Sequence, residues 1–431
     1  MDESNKTFCM APWVHLNVKR NGDVCPCCYF QFEDHQEPYS IETMISDWSN
    51  NYPKSNSLGS LMEHNSIKDI WNNDKMKQLR KNMLEGKKSD FCSACYKQEE
   101  LGYRSLRMDF NQNHSKHYKY VKETREDGTF ERFNLVSWKF EIGNVCNFKC
   151  RTCSPDLSTS WGQEIKNKFD LKEELPEINV TQIYKDIEPL YDIVEEVCFA
   201  GGEPLIMDSH YHILNKLIEK NKTNIPIFYN TNLSTFTYKG INVFDLWDKF
   251  ENLNIVISVD GFGERGELIR KGFNWQKFLD NFKIFRTRFP YPQHNIEINC
   301  VFQVMNCFHV MDLQKELYDK KIIEDLDQFK ITILFDPNIL CISILDSKTR
   351  QNLSKKIKDH IKNYLLPEKA YFSINQYLSI LKFLNMHKED YLIPYFKKYM
   401  SEIDDMRNEN YLEVFPELQE IFGDLDNSFL L

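Results

Sequence analysis

Three cysteines, Cys146, Cys150 and Cys153, stand in the spacing CxxxCxxC within the segment Phe140 to Cys153, FEIGNVCNFKCRTC. Thiolates this close on one loop can clamp a single inorganic centre, and three fall one short of the four that close a tetrahedral zinc site. A 4Fe-4S cluster has four iron corners, so three cysteines leave one iron open to a small-molecule ligand. A structural zinc site or three ordinary thiols are the plainer readings of the triplet alone. Further polar sets recur downstream. Gly201-Gly202-Glu203-Pro204 is a turn whose missing side chains let backbone approach a ligand while a carboxylate accepts from an ammonium. Asn230-Thr231-Asn232 and Ser258-Val259-Asp260-Gly261 follow, each by itself a common turn or capped loop.

The elements that must position these sets read as alternating strands and helices. Strand-like runs fall at Leu135 to Ile142, Val194 to Ala200, Ile225 to Tyr229, Asn254 to Val259, Asn295 to Phe302 and Phe329 to Phe335. Helical runs lie between them, around His210 to Lys220, Trp275 to Arg288 and Val310 to Asp319. Such alternation implies right-handed crossovers and a parallel sheet. All the polar sets then fall at the C-terminal ends of strands, the ligand face of a barrel.

In this order the motifs resemble the radical S-adenosylmethionine (SAM) superfamily. The resemblance implies an α/β fold, a partial (βα)6 TIM-like barrel over residues 133–336. It implies a 4Fe-4S cluster on Cys146, Cys150 and Cys153 whose open iron is chelated by the amino and carboxylate groups of SAM. Gly201, Gly202, Glu203 and Pro204 match the segment that holds the methionine amino group, and Thr231 and Asn232 join them as cofactor contacts. Ser258 and Asp260 become candidates for the ribose hydroxyls and Arg270 for the carboxylate, with a surface arginine as the alternative. One departure is Thr152, where the family commonly carries an aromatic residue near the adenine. The implied activity is reductive cleavage of SAM to a 5'-deoxyadenosyl radical and hydrogen abstraction from a substrate that the residues do not name: a peptide, a sugar or another small molecule. An electron donor such as a flavodoxin or ferredoxin is the implied partner. Glu141 and Tyr229 lie near the expected pocket without signalling a general acid or base.

The 13 cysteines cluster instead of spreading as a disulfide scaffold would. The N-terminal set is Cys9, Cys25, Cys27, Cys28, Cys92 and Cys95. The alternating run Val14 to Val18, the Asn21-Gly22 turn and Val24-Cys25-Pro26-Cys27-Cys28 predict a β-hairpin with cysteines at both ends. From Ser66 a helical face of Ile67, Ile70, Trp71, Leu79 and Met83 runs to about Gly86, followed by Cys92-Ser93-Ala94-Cys95. A CxxC knuckle plus two hairpin cysteines makes a four-ligand site that would serve zinc or a cluster. The region is similar to the SPASM/twitch auxiliary domain, with Gly22 and Cys27 fitting its Gly-x4-Cys element. That resemblance implies a second, auxiliary 4Fe-4S cluster on Cys9, Cys27, Cys92 and Cys95 for electron relay, with Cys28 as a substitute for Cys27 and Cys25 as a spectator. The auxiliary domain usually follows the barrel and here precedes it, which leaves open the barrel face it approaches. Cys198, Cys300, Cys307 and Cys341 sit in or beside apolar segments and read as small buried hydrophobes.

A chain of 431 residues, 42% of them hydrophobic, can bury a sizeable core and carry appendages. The expected division is a Cys-rich cluster-binding domain at 1–100, a polar linker with some helix at 101–132, the barrel, and a helical C-terminal extension at 337–431. In the linker, His114 and His117 are expected to be solvated. The extension is expected to cover the open side of the barrel or shape the substrate entrance. A formal net charge of −10 argues against a nucleic-acid partner bound through broad phosphate neutralisation. No apolar run reaches the roughly 20 residues that span a bilayer, and the acidic, polar N-terminus lacks a secretory signal, so the expected compartment is the cytoplasm. The competing class is a zinc-stabilised or electron-transfer protein on the same barrel without SAM chemistry.

Overall fold

The computed structural model describes residues 5–28, 30, 39–49, 57–64, 66–100, 102, 104–171, 179–290 and 295–423. Leu101 at the start of the expected linker and the outer ends of the first and last segments, 1–4 and 424–431, lie outside them.

Period-two alternation makes the strands. In Asn295–Phe302, Ile296, Ile298, Cys300 and Phe302 are buried while Glu297, Asn299 and Val301 are half-buried on the other face. Three N-terminal strands, β1 (His15–Val18), β2 (Asp23–Cys25) and β3 (Gly59–Ser60), and six later ones, β4 (Ser137–Phe140), β5 (Glu196–Phe199), β6 (Pro226–Thr231), β7 (Asn252–Ser258), β8 (Asn295–Phe302) and β9 (Phe329–Ile333), form one sheet among the described residues. Its order is β9-β8-β7-β6-β5-β4-β1-β2-β3. Strands β4 to β9 are parallel and adjacent in chain order, as expected of a partial barrel. The crossovers include α1 (Thr159–Phe169), α2 (Asp208–Glu219), α3 (Trp275–Arg288) and α4 (Val310–Asp319). Ser158 and Asn274 start α1 and α3 by accepting from the backbone N–H of Trp161 and Lys277. The helices cover the apolar face of the sheet; Trp138 of β4, fully buried, meets the Tyr191 ring at 5.1 Å there. Lys139, Cys198, Phe228 and Asn254, paired strand to strand, lie on the inner face.

The N-terminal hairpin forms as expected, and it is continuous with the barrel sheet. β1 pairs in parallel with β4, from His15 opposite Ser137 to Val18 opposite Phe140, so it occupies the edge that β4 would otherwise expose. Parallel pairing also fixes the direction. The Cys9 end of β1 lies beside the N-terminal end of β4, and the hairpin tip at Lys19 and Arg20 lies near the loop after β4, where both side chains act electrostatically on half-buried Asp156.

Two expectations change here. The single helix from Ser66 is two, Ile67–Trp71 and Asp74–Leu84, because Asn73 caps the second by accepting from Met76 N–H at 2.9 Å. His114 and His117 are buried, not solvated. His114 meets Glu196 at 3.2 Å and His117 meets Glu195 at 3.0 Å, so the polar stretch packs on the start of β5. Their neighbours on the sheet, not their polar surroundings in sequence, decide their burial.

The C-terminal extension is helical, with α5 (Ser347–His360), α6 (Tyr371–Met386) and α7 (Ile393–Arg407). Asp346 caps α5 by accepting from Thr349 N–H.

Candidate functional site

The triplet loop is held by its neighbours at every turn. At the N-terminus of α1, Ser160 donates to the Cys146 carbonyl at 2.7 Å and Ser158 to the Phe148 carbonyl at 2.6 Å. Trp161 Nε1 donates to the Cys150 carbonyl at 3.0 Å. On the other side Lys149 and Cys150 pair antiparallel with Lys271 and Arg270. The three thiols share one electrostatic neighbourhood: burial first, then Cys150 and Cys146, raises Cys153, and burial pushes Cys146 up to about 12. Buried thiols stay protonated until a metal centre supplies the compensating charge.

The glycine turn is needed here for a stated reason. Gly202 has φ +38°, and a Cβ on it would stand 2.4 Å from the Val145 carbonyl of the triplet loop. The Glu203 N–H donates to the same carbonyl at 2.8 Å. The Glu203 carboxylate is buried and accepts from Asn232 N–H at 2.6 Å, Thr231 Oγ1 at 2.7 Å and Leu205 N–H at 3.1 Å. Burial raises its pKa and these donors oppose the rise. One carboxylate thus ties the GGEP turn to the loop after β6, with one lone-pair direction of Oε2 unspent. Asn232 also donates to Asn147 inside the triplet loop at 3.1 Å. A cavity of about 40 Å³ lies where these loops meet, lined by Asn147, Phe148, Asn232, Ser234, Gly272 and Phe273.

Arg270 lies beside the thiols with its side chain only 12% exposed, not on the surface. It pairs with Asp260 at 2.8 Å, and although burial works against its charge, Cys150 and Asp260 outweigh that and raise it. Its Nε is buried with no partner, an unspent donor. Asp260 has both oxygens engaged, one by Arg270 and the other by Val301 N–H at 2.8 Å. Asp260 therefore anchors Arg270, while each of its oxygens keeps a second lone-pair direction for another donor; Ser258 stays half-buried on the inner face of β7. Pro204 opens a short 3-10 turn and is buried. At Thr152, half-buried, there is no ring; Tyr39 and Tyr399, 6.0 Å apart, both couple electrostatically to Cys153.

The N-terminal thiols also converge. Burial first, then Cys28, Cys9, Cys92 and Cys95, raises Cys27, and Cys92 is pushed up to about 12 by burial and Cys95. Cys28 acts on Cys95 but also on Lys139 and Cys198 of the barrel, so it straddles the quartet and the inner face. Among the described residues no three Cys, His, Asp or Glu side chains close on a single ion; a cluster asks each thiolate only to meet its own iron. Cys198 faces Lys139 on the inner face and is half-buried, which corrects its reading as a core hydrophobe, whereas Cys300, Cys307 and Cys341 are buried as expected.

Residues 140–302 match the family model described as the radical SAM superfamily, and residues 9–96 match the SPASM iron-sulfur cluster-binding domain. The chain therefore carries a radical SAM domain and a SPASM domain. The radical SAM domain brings a 4Fe-4S cluster and SAM as cofactors, and the SPASM domain adds an auxiliary iron-sulfur cluster. The donor sets fit them: three clustered thiols, one buried and two half-buried, a buried carboxylate with a free lone pair for an ammonium, and a half-buried arginine with a free donor for a carboxylate. Curated relatives are the GTP 3',8-cyclases of Actinobacillus pleuropneumoniae serotype 3 (strain JL03), 26% identical over 189 residues, and of serotype 7 (strain AP76), 25% identical. The matched segment is 44% of this chain and 50% of each relative, so the chain spans about half their length. Similar solved structures include Streptococcus suis SuiB bound to S-adenosylmethionine, with TM-score 0.37, 16% identity and coverage of 63% of this chain and 60% of that one. Another is native anSMEcpe with bound AdoMet, with TM-score 0.33, 18% identity and coverage of 51% and 56%.

Sequence alone missed what holds the triplet loop from behind. Arg151, fully buried, pairs with Asp404 and with Glu409 at 2.7 Å, and Tyr399 donates to the Arg151 carbonyl at 2.9 Å. Arg407 of α7 pairs with Glu164 of α1 at 2.8 Å. An arginine between two of the cysteines was the available signal.

Proposed function

We propose that this radical SAM enzyme cleaves SAM reductively and takes a hydrogen atom from a substrate held on the inner face of the barrel. When bound, the cluster and SAM supply a 5'-deoxyadenosyl radical. The observation that carries the reading is Glu203, whose buried carboxylate ties the GGEP turn and the Asn-Thr-Asn loop together beside the thiol triplet. Cys146, Cys150 and Cys153 would hold the first cluster. Glu203 and the Gly201–Gly202 backbone would orient the cofactor's ammonium, Arg270 its carboxylate, and Thr231 and Asn232 keep Glu203 in place. Asp260 holds Arg270 charged and aimed. Cys9, Cys27, Cys92 and Cys95 would hold the auxiliary cluster at the far end of the first strands, where it can accept an electron from a substrate radical formed between them. Cys27, which feels all three partners, suits the fourth ligand better than Cys28.

Among the described residues no helix is long and apolar enough to cross a membrane. A cytoplasmic setting, with a flavodoxin or ferredoxin as electron donor, follows from the same reading.

The test is an anaerobic assay of the reduced, reconstituted protein for 5'-deoxyadenosine, with iron counted. The triple variant Cys146→Ala, Cys150→Ala, Cys153→Ala should keep about four irons, one cluster's worth, and form no deoxyadenosine. A wild-type protein that holds zinc alone, or holds iron yet cleaves no SAM, would sink the catalytic reading in favour of a scaffold or electron carrier.

A further inference from the structure

Asn17 is the buried polar side chain whose position makes least sense as structure alone. It is fully buried, and neither its Nδ2 nor its Oδ1 has a partner. A buried amide left so destabilises the fold, and such groups persist where a ligand satisfies them. The sheet register says where it points. Asn17 pairs with Cys25 on one side and Lys139 on the other, and Lys139 pairs with Cys198. Paired residues share a face, and Leu16 and Trp138, one residue back, are buried on the helix side. Asn17 therefore looks onto the inner face in one rung with Lys139 and Cys198. Lys139 spends one donor on Glu141 at 3.1 Å and has two left. The Cys28 thiol lies close by, between this rung and the auxiliary quartet.

We propose that Asn17 and Lys139 form a substrate subsite at the auxiliary-cluster end of the barrel, and that it takes a carboxamide. A side-chain amide offers a donor and an acceptor next to each other, and its complement is another amide, which offers the same pair reversed. Lys139 adds a second donor to the amide oxygen. This deepens the radical-enzyme reading and rests on it for the chemistry; the subsite itself rests on Asn17 and the register.

The probe is capped alanine amide, N-acetylalanine amide with a CD3 side chain, added to the reduced holoenzyme with SAM and dithionite. The readout is the deuterated fraction of the 5'-deoxyadenosine formed, by mass spectrometry, with the ester analogue of the probe as comparison. We expect deuterium transfer from the amide and at least tenfold less from the ester. Asn17→Leu should lower the deuterated fraction at least tenfold and raise the thermal midpoint by about 2 °C, because the orphaned amide is gone. Asn17→Asp, which keeps an acceptor and loses the donor, should lower the fraction without that rise, and Lys139→Met should lower it too. Equal transfer from amide and ester, an unchanged fraction in Asn17→Leu, or deoxyadenosine without deuterium would overturn the subsite, and a bound water would then account for Asn17. If wild type forms no deoxyadenosine, the radical reading fails by itself, and the thermal midpoint decides the subsite: a fall in Asn17→Leu overturns it.

Discussion

At the scale of single residues, Gly202 and Arg270 show two ways in which the site depends on contacts that a side chain's own chemistry does not announce. A methyl group at Gly202 would collide with the Val145 carbonyl at 2.4 Å, in a backbone conformation that disfavours any side chain. Gly202→Ala should destabilise the protein by about 1–3 kcal/mol and weaken SAM binding at least tenfold, read by thermal unfolding and equilibrium dialysis; unchanged SAM affinity would mean that the turn does not face the cofactor. Arg270→Met leaves Asp260 buried and unpaired, for which about 3–5 kcal/mol is the expected loss. Adding Asp260→Asn should recover part of that stability while SAM binding stays weak. Recovery of both would show that Arg270 serves the fold alone.

At the scale of elements, the helix α7 and the segment after it act as a clamp on the triplet loop. Arg151 is the contact that decides this, because its side chain is fully buried and two carboxylates from Asp404 and Glu409 neutralise it. Arg151→Met should release the loop, so that iron bound at the triplet falls while iron bound at the N-terminal quartet does not; equal loss from both would point to general unfolding. Elsewhere in the extension, α5 is tied to α4 through Asp312, with His309 at 3.8 Å and Lys356 at 2.9 Å. His309 first, then Lys356, pulls the Asp312 carboxyl down to about 2. A depressed carboxylate contributes its stability above the unfolded value of about 4 and loses it as pH falls towards 2. Asp312 is nearly half exposed, so solvent screening holds the contribution under about 1 kcal/mol. Asp312→Asn should remove that share of the acid destabilisation between about pH 4 and 2 in unfolding titrations, and an unaltered pH profile would count against the pairing.

At the scale of the whole molecule, the SPASM region and the barrel are one sheet. β1 covers the edge of β4 with four paired positions, from His15 to Val18. Removing residues 1–132 would bare that edge together with the surface of Glu195 and Glu196 on which His114 and His117 rest. The truncated barrel should therefore aggregate, or elute as oligomers in size-exclusion chromatography, even when its cluster is reconstituted. A stable monomeric barrel would show that the hairpin pairing contributes little.

By itself, the sequence determined the chemistry and the periodicity. The CxxxCxxC spacing, the GGEP turn and the order of strands are local properties, and a cysteine loop after an alternating apolar strand is legible because both the ligands and the alternation lie within a few residues of each other. The fold class and the families followed from these. What only the tertiary structure decided involves partners far apart in the chain. His114 looks solvated until Glu196 is placed beside it, Asp260 shows no sign of its tie to Arg270 and Val301 until the fold brings them together, and Cys198 looks like core until strand register turns it inward. Arg151 finds its carboxylates more than 250 residues on. A sequence records which groups a chain owns, whereas burial and hydrogen-bond occupancy depend on which distant segments the sheet and its covering helices bring within reach.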